Sequence, residues 1–386
     1  MFSYKMSMIQ LFTVVKKIVL VYLLFIVCSN TCFSQYKTEN VVIVTMDGMR
    51  WQEVFTGADS ALLFNKTYTR DINGTAEKFW DTCSNKRREM LFPFVWSVIA
   101  TQGQLHGNRN TGSLVNVANP YRFSYPGYNE IFTGYPDTAV DSNDKIINKN
   151  RNVLEFINQQ QGYTGKVAVF STWDVFPYIL NKWRSGIYMN SNDDLIDSTT
   201  DHSGLLNDIQ NLSSKPIDVR LDVLTYIGAR EYLKVKSPKV LCIGFDETDD
   251  FAHKGDYEQY LKSAHSQDAM IADLWHTLQS LPQYRDKTTL IITCDHGRGD
   301  KIKDNWTDHG DEIMESGEIW MAAIGPDMPV TGEVKQPEQI YQKKLAPTIA
   351  KLIGFDFINT QSANAPIAGL LKPLSTVPAD LTVRAN

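Results

Sequence analysis

The chain has 386 residues, of which 43% are apolar and 21% charged, a balance that excludes a disordered or low-complexity protein. Its formal net charge of −6 argues against a nucleic-acid binder, which needs a basic stripe. The first segment stands apart. Lys5, Lys16 and Lys17 precede or open onto the apolar run Ile18–Cys28, and small and polar residues follow, ending Cys32-Phe33-Ser34. A basic stretch, a short apolar core and a small-residue exit predict a secretory signal peptide over residues 1–34. The run is shorter than the ~20 residues that span a bilayer, which disfavours a membrane anchor. The mature chain, 35–386, is then expected as one domain in the periplasm or outside the cell, with no membrane span left. Removing three lysines and no acids takes the net charge from −6 to −9. Of the five cysteines, Cys83, Cys242 and Cys294 remain, without zinc-finger spacing, and read as structural.

Apolar runs then recur with helical stretches between them. Strands are predicted at Val41–Val44, Lys166–Phe170, Val240–Phe245, Leu290–Cys294 and Ile319–Ile324. Such near-continuous apolar runs suit a sheet covered on both faces. Helices are predicted at Asn152–Gln161, Asp218–Lys236, Tyr257–Leu281 and Gln339–Ile353; the third carries an apolar stripe through Leu261, Ala264, Ile271, Leu274 and Leu278. The alternation predicts an α/β fold, a mostly parallel central sheet with helices on both faces. Residues 51–119 and 181–214 break the rhythm and read as large loop insertions over the carboxyl ends of the strands, where open α/β sheets place their sites.

Acids and histidines cluster after the predicted strands. Asp47 follows the first, Asp249 and His253 the third, and Asp295 and His296 the fourth, with His309 shortly after. Taken singly, an aspartate there is a turn former and a histidine a surface group. As a set, carboxylates and imidazoles suit Zn²⁺ or a similar divalent ion. The spacing of Asp249 and His253 puts both on one side of a helical turn. Asp246 and Asp250 compete for the ligand role, and the spacing to His253 selects Asp249. His106, His202, His265 and His276 read as structural. A second feature is Phe123-Ser124-Tyr125-Pro126-Gly127-Tyr128-Asn129-Glu130, followed by Thr133-Gly134. With Pro126 at the first helical position, Ser124 would sit just before a helix N-terminus, where orphan N–H groups attract anions.

These motifs, in this order, resemble the alkaline phosphatase superfamily: Asp47-Gly48, Ser124-x-Pro126, Asp249-x-x-x-His253, Asp295-His296-Gly297 and His309-Gly310, closed by Leu345-Ala346-Pro347-Thr348-Ile349-Ala350-Lys351-Leu352-Ile353-Gly354. Glu247-Thr248-Asp249 and Ser124-Tyr125-Pro126 are similar to the nucleotide pyrophosphatase/phosphodiesterase branch. The resemblance covers about residues 40–371. It implies a two-metal hydrolase of a small phosphate ester that forms a phosphoseryl intermediate, with two divalent ions, most simply Zn²⁺, ~4 Å apart. By that likeness Asp47, Asp295 and His296 hold the ion that also meets the Ser124 nucleophile, and Asp249, His253 and His309 hold the other. Asn143 is the candidate for binding a phosphoryl oxygen.

The departures bear on substrate. That branch usually carries threonine as nucleophile. Sulfatases of the superfamily require an Arg where Tyr128 stands, which argues against sulfate esters. Some monoesterases grip phosphate with a Lys-x-Arg pair after a strand, and here Ser171-Thr172-Trp173-Asp174-Val175 has no positive charge. This favours phosphodiester or pyrophosphate bonds, with Trp173 a candidate to stack on a base. The alternative is a phosphomonoesterase. A mutase of phosphoglycerate type fits less well with a signal peptide. A non-catalytic, metal-stabilised binding protein is the rival from another class.

Overall fold

The computed structural model describes residues 36–197, 202–215 and 217–373, together with Lys16. The expected signal segment lies outside these residues, Lys16 aside. Among the described residues, no helix is long and apolar enough to cross a membrane.

Eleven strands are formed among the described residues: β1 (Asn40–Met46), β2 (Gln104–His106), β3 (Ser113–Asn116), β4 (Val167–Ser171), β5 (Tyr188–Ser191), β6 (Val240–Phe245), β7 (Thr288–Thr293), β8 (Glu318–Ile319), β9 (Met321–Ile324), β10 (Gly332–Glu333) and β11 (Glu338–Tyr341). The helices that matter for the site are α1 (Trp51–Thr56), α2 (Ser124–Thr133), α3 (Val153–Asn158), α4 (Asp222–Lys236), α5 (Glu247–His253), α6 (Tyr257–Ser280) and α7 (Leu345–Leu352).

The main sheet has eight strands in the order β10-β2-β9-β7-β1-β6-β4-β5. Strands β7, β1, β6, β4 and β5 pair parallel throughout. Strand β9 runs antiparallel to both its neighbours. Every residue of β1, β6 and β7 is buried, so both faces of the sheet are covered at its centre. That is why these strands read as unbroken apolar runs rather than alternating ones. Helix α4 packs on β4 and β6, α6 on β1, and α3 on β4. The α/β class and the mostly parallel sheet match the expectation.

Local expectations fail in four places. Ile319–Ile324 is two strands, because Trp320 separates β8, in a small sheet with β3 and β11, from β9 in the main sheet. Gln339–Ile353 begins as a strand: β11 and a 3₁₀ turn at Gln342–Lys344 precede α7. Its residues 338–341 pair with β3, and that long-range ladder overrides a local apolar spacing that helix and strand share. Segments 51–119 and 181–214 are not loops alone. The first supplies α1, further short helices and β2, and the second supplies the edge strand β5. Their polar composition hid them, since short and edge strands need little apolar sequence.

The start of α2 differs in detail. Phe123 is extended, Ser124 is the first helical residue and Pro126 the third. Proline is tolerated there because N–H groups of the first turn have no partner within the helix. Gly134 ends α2 in the left-handed region at φ 68°.

Candidate metal centre

The carboxyl ends of β1, β6 and β7, three adjacent parallel strands, deliver the site. Asp47 leaves β1, α5 starts two residues after β6, and Asp295-His296 leave β7. Residues far apart in sequence therefore converge at one sheet edge.

His296 is the centre of the cluster. It is fully buried. Its Nδ1 lies 2.9 Å from the Gly297 carbonyl oxygen, which fixes a proton on that nitrogen and makes Nε2 the atom that faces the cluster. Around Nε2 stand Ser124 Oγ at 3.3 Å, Asp47 Oδ1 at 3.4 Å, Asp295 Oδ2 at 3.4 Å and Asp249 Oδ1 at 3.8 Å. The other oxygens of the two aspartates are held. Tyr128 donates its hydroxyl to Asp47 Oδ2 at 2.9 Å, and the Gly48 N–H donates to Asp295 Oδ1 at 3.1 Å.

Asp249 joins this cluster to a second one. Its Oδ2 lies 3.1 Å from His253 Nε2, as the one-turn spacing on α5 predicts, and its Oδ1 lies 3.8 Å from His309 Nε2. The His253 and His309 Nε2 atoms are 3.0 Å apart, and the His296 and His309 rings lie 3.9 Å apart between centroids, tilted by 32°. Two groups of three have the spacing to hold an ion: Asp47, Asp295 and His296, and Asp249, His296 and His309.

The donor set fits cations. Asp47 Oδ1, Asp295 Oδ2 and His309 Nδ1 are buried and have no hydrogen-bond partner. Buried carboxylate oxygens facing one another without a donor cost several kcal/mol unless a cation stands between them. The electrostatics agree. Burial, then the Asp249 charge, pushes the Asp47 pKa up, and burial, then Asp47, pushes Asp295 well up. Burial opposes the charge on His296, but the surrounding carboxylates, Asp295 first, outweigh it and raise its pKa to about 9. For His309, burial, then His296, forces the pKa well down and keeps the imidazole neutral, as a ligand must be.

Ser124, Asp47, Asp249, His253, Asp295, His296 and His309 are thus brought together. Asp246, which precedes α5, and Asp250, within it, lie outside both three-residue groups. Asn143 is not among these seven, but its Oδ1 accepts the Tyr125 N–H at 2.9 Å, next to Ser124. Trp173 is half-buried with its ring 6.5 Å from that of Tyr128, so packing explains it without a substrate. His106 bonds Gln104 and Glu338 and His265 approaches the Leu91 carbonyl, both structural.

Two participants escaped sequence reasoning. Arg298 is fully buried and donates to the Thr307 carbonyl at 2.6 Å, to the Asp249 carbonyl at 3.1 Å and to Asp249 Oδ1. It links the α5 loop to the segment that bears His309, and its guanidinium helps hold the Asp249 pKa well down against burial. Its adjacency to Asp295-His296-Gly297 was the signal. Tyr128 carried none, because only the fold brings its hydroxyl on α2 to Asp47, just past β1.

Comparison with known proteins follows this geometry. A family model described as Metalloenzyme superfamily matches residues 223–356, the stretch that holds Asp249, His253, Asp295, His296 and His309. No curated protein sequence matches. Among solved structures, the alkaline phosphatase PafA superposes with a TM-score of 0.57 at 10% identity, covering 87% of this chain and 99% of that one. The lipoteichoic acid synthase LtaP of Listeria monocytogenes gives 0.55 at 12% identity, over 86% and 75%. Murine ectonucleotide pyrophosphatase/phosphodiesterase 5, in an inactive form with AMP, gives 0.51 at 12% identity, over 84% and 99%. The chain has the fold of the alkaline phosphatase superfamily, and its residues 223–356 match the Metalloenzyme superfamily.

Proposed function

We propose that the chain is a secreted hydrolase of phosphoric esters in which Ser124 is the nucleophile. The observation that carries this is the placement of Ser124 Oγ 3.3 Å from His296 Nε2, beside the partnerless oxygens of Asp47 and Asp295. Asp47, Asp295 and His296 would hold one divalent ion, and Asp249, His253 and His309 a second, with Zn²⁺ the ion best suited to this N/O set. Such ions supply positive charge that acidifies a hydroxyl and neutralises phosphoryl oxygens.

The chain's own groups do the rest. Ser124 Oγ loses its proton and forms the O–P bond as the bond to the leaving oxygen breaks. The leaving alcohol takes up a proton, and water then cleaves the serine ester to return the hydroxyl and release a phosphate monoester from a diester, or phosphate from a monoester. The positive end of the α2 dipole favours the phosphoryl oxygens, while the Tyr125 N–H of its first turn is committed to Asn143 and residue 126, a proline, has none. Asn143, by accepting from the Tyr125 N–H, holds the loop that bears it against that turn.

The stretch Ser171–Val175, which has no positive charge, favours diester or pyrophosphate bonds, with Trp173 beside the leaving group. A second reading, monoester hydrolysis, is favoured by one contact: Lys145 reaches Asp174 within that stretch, its Nζ 2.6 Å from Oδ2. Secretion through residues 1–34 and a single catalytic domain over 35–386 belong to the same proposal. The Ser124→Ala variant tests it: turnover of nitrophenyl phosphate esters is lost while bound metal stays near the wild-type equivalents. A variant that keeps full activity removes Ser124 as nucleophile.

A further inference from the structure

His309 sits on a surface turn that two arginines, from different parts of the chain, hold on either side of it. Arg298, just past Asp295 and His296, donates to the Thr307 carbonyl at 2.6 Å, two residues before His309. Arg122, just before Ser124, donates its Nη1 to the Asp311 carbonyl at 2.8 Å, two residues after His309. The turn itself closes locally, the Ile313 N–H donating to the Gly310 carbonyl at 3.1 Å. A β-carbon built on Gly310 would meet nothing within 4 Å, so the turn is open on that side. His309 is therefore suspended between the loop that bears Asp295 and His296 and the loop that bears the nucleophile.

The Arg122 end of this strap is well anchored. Glu130 on α2 is fully buried, and its carboxylate accepts the Ala118 N–H at 2.9 Å, the Asn119 N–H at 2.8 Å and the Lys343 N–H at 3.1 Å. Asn119, also buried, accepts the Arg122 N–H on its Oδ1 at 2.8 Å. The Arg122 side chain passes over Gly317, where a β-carbon would lie 3.4 Å from its Cδ and Nε. Arg122 itself is left-handed, at φ 55°. That conformation suits glycine or asparagine and disfavours a long side chain, and residues held in it cluster at functional sites. The backbone at 122 does not require arginine; the reach of its guanidinium to Asp311 does.

Resting on the two-ion hydrolase reading above, we propose that Arg122 is a positioning residue that fixes His309 relative to Ser124 and so sets how tightly the ion of Asp249, His253 and His309 is held. Arg122 bonds a backbone carbonyl and acts through His309. With the strap in place, the imidazole is already ordered beside Asp249 and His253. Without it, the ion itself must order the turn, which weakens binding.

The test titrates chelator-stripped wild type, Arg122→Gly and Arg122→Lys with Zn²⁺ by calorimetry. Glycine is at ease in the left-handed region, so Arg122→Gly removes the strap and leaves the melting temperature of the metal-free protein near that of the wild type. Arg122→Gly binds one equivalent as the wild type does and the other on the order of 10-fold more weakly, the effect of one charge-assisted hydrogen bond. Arg122→Lys recovers part of the loss, since an ammonium still donates to the carbonyl. With bis(4-nitrophenyl) phosphate, kcat of Arg122→Gly falls at limiting Zn²⁺ and returns towards the wild-type value in excess Zn²⁺. Two equivalents held by Arg122→Gly as tightly as by the wild type overturn the role of Arg122 and leave the hydrolase intact. Loss of both equivalents with a lowered melting temperature overturns it too, as the mark of a purely structural arginine. A wild type that binds fewer than two equivalents, or that turns over no ester when loaded, overturns the two-ion hydrolase reading and this proposal with it.

Discussion

Gly127 lies against the backbone of Asp295: a β-carbon built on it would come within 2.5 Å of the Asp295 carbonyl oxygen. The helix that presents Ser124 and the loop that presents Asp295 and His296 therefore touch backbone to backbone. Gln342 reinforces the contact, since its Nε2 donates to the Asp295 carbonyl at 3.1 Å. Only glycine permits this approach.

Gly127→Ala must push α2 away from the β7 loop by a fraction of an ångström or more. Misplacing a nucleophile on that scale costs about 10²-fold in rate. We expect kcat for an activated phosphate ester to fall by roughly that factor, with metal content retained, because all six metal-binding candidates lie outside α2. Steady-state kinetics beside elemental analysis of the purified variant checks this. Loss of metal together with activity would show that α2 instead supports the ligand loops.

Metal uptake should release protons. Without a cation His296 titrates at about 9 and holds a proton at neutral pH, and burial shifts Asp47 and Asp295 towards their protonated forms as well. A cation must displace these protons, and apparent affinity therefore rises with pH. Calorimetric titration of chelator-stripped protein with Zn²⁺ in buffers of different ionisation enthalpy measures the release directly. Asp295→Asn should release fewer protons and bind at least one equivalent less tightly.

Arg50 braces the same region from below. It is fully buried, and its guanidinium bonds Glu53 Oε2 at 3.0 Å, the Gly299 carbonyl at 3.2 Å and Asp300 Oδ1 at 3.2 Å. It thus joins the β1 exit to the segment just past Arg298. Removing one partner of a buried pair strands the other, so Arg50→Ala should destabilise the fold by about 3–5 kcal/mol. Urea denaturation checks it. Arg50→Lys should recover only part, since an ammonium cannot reproduce the planar fork.

Asp268 on α6 predicts a pH dependence remote from the site. It is buried and accepts the Phe94 and Val95 N–H groups at 2.7 and 3.1 Å, yet burial dominates and raises its pKa to about 7. An unfolded carboxyl titrates near ~3.9. Between these values the native state keeps a proton that the unfolded state has lost. This group's contribution to stability is therefore full below about pH 4 and declines as pH rises towards 7, with a slope of at most about 1.4 kcal/mol per pH unit. Asp268→Asn removes that slope. Denaturation midpoints of wild type and variant between those limits should converge or diverge with pH; parallel curves would refute the assignment.

Much of the centre was legible in the residues themselves. A buried parallel strand needs an unbroken apolar run, and the residue after it is delivered to the carboxyl edge of the sheet, so Asp47, Asp249, Asp295 and His296 announced themselves by position. The turn spacing of Asp249 and His253 is local geometry, and the sequence carries it. The helix expected from Gln339 was misread because an apolar spacing of a few residues serves a strand as well as a helix, and only the ladder of β11 with β3 decides. Polar composition concealed β2 and β5, because short and edge strands need little apolar sequence. What the tertiary structure alone decided are the contacts between distant residues: Tyr128 with Asp47, Arg298 with Asp249, Gly127 with Asp295 and Lys145 with Asp174. None follows from a period or a motif, because each depends on how separate elements dock, and docking is set by the packing of the whole core.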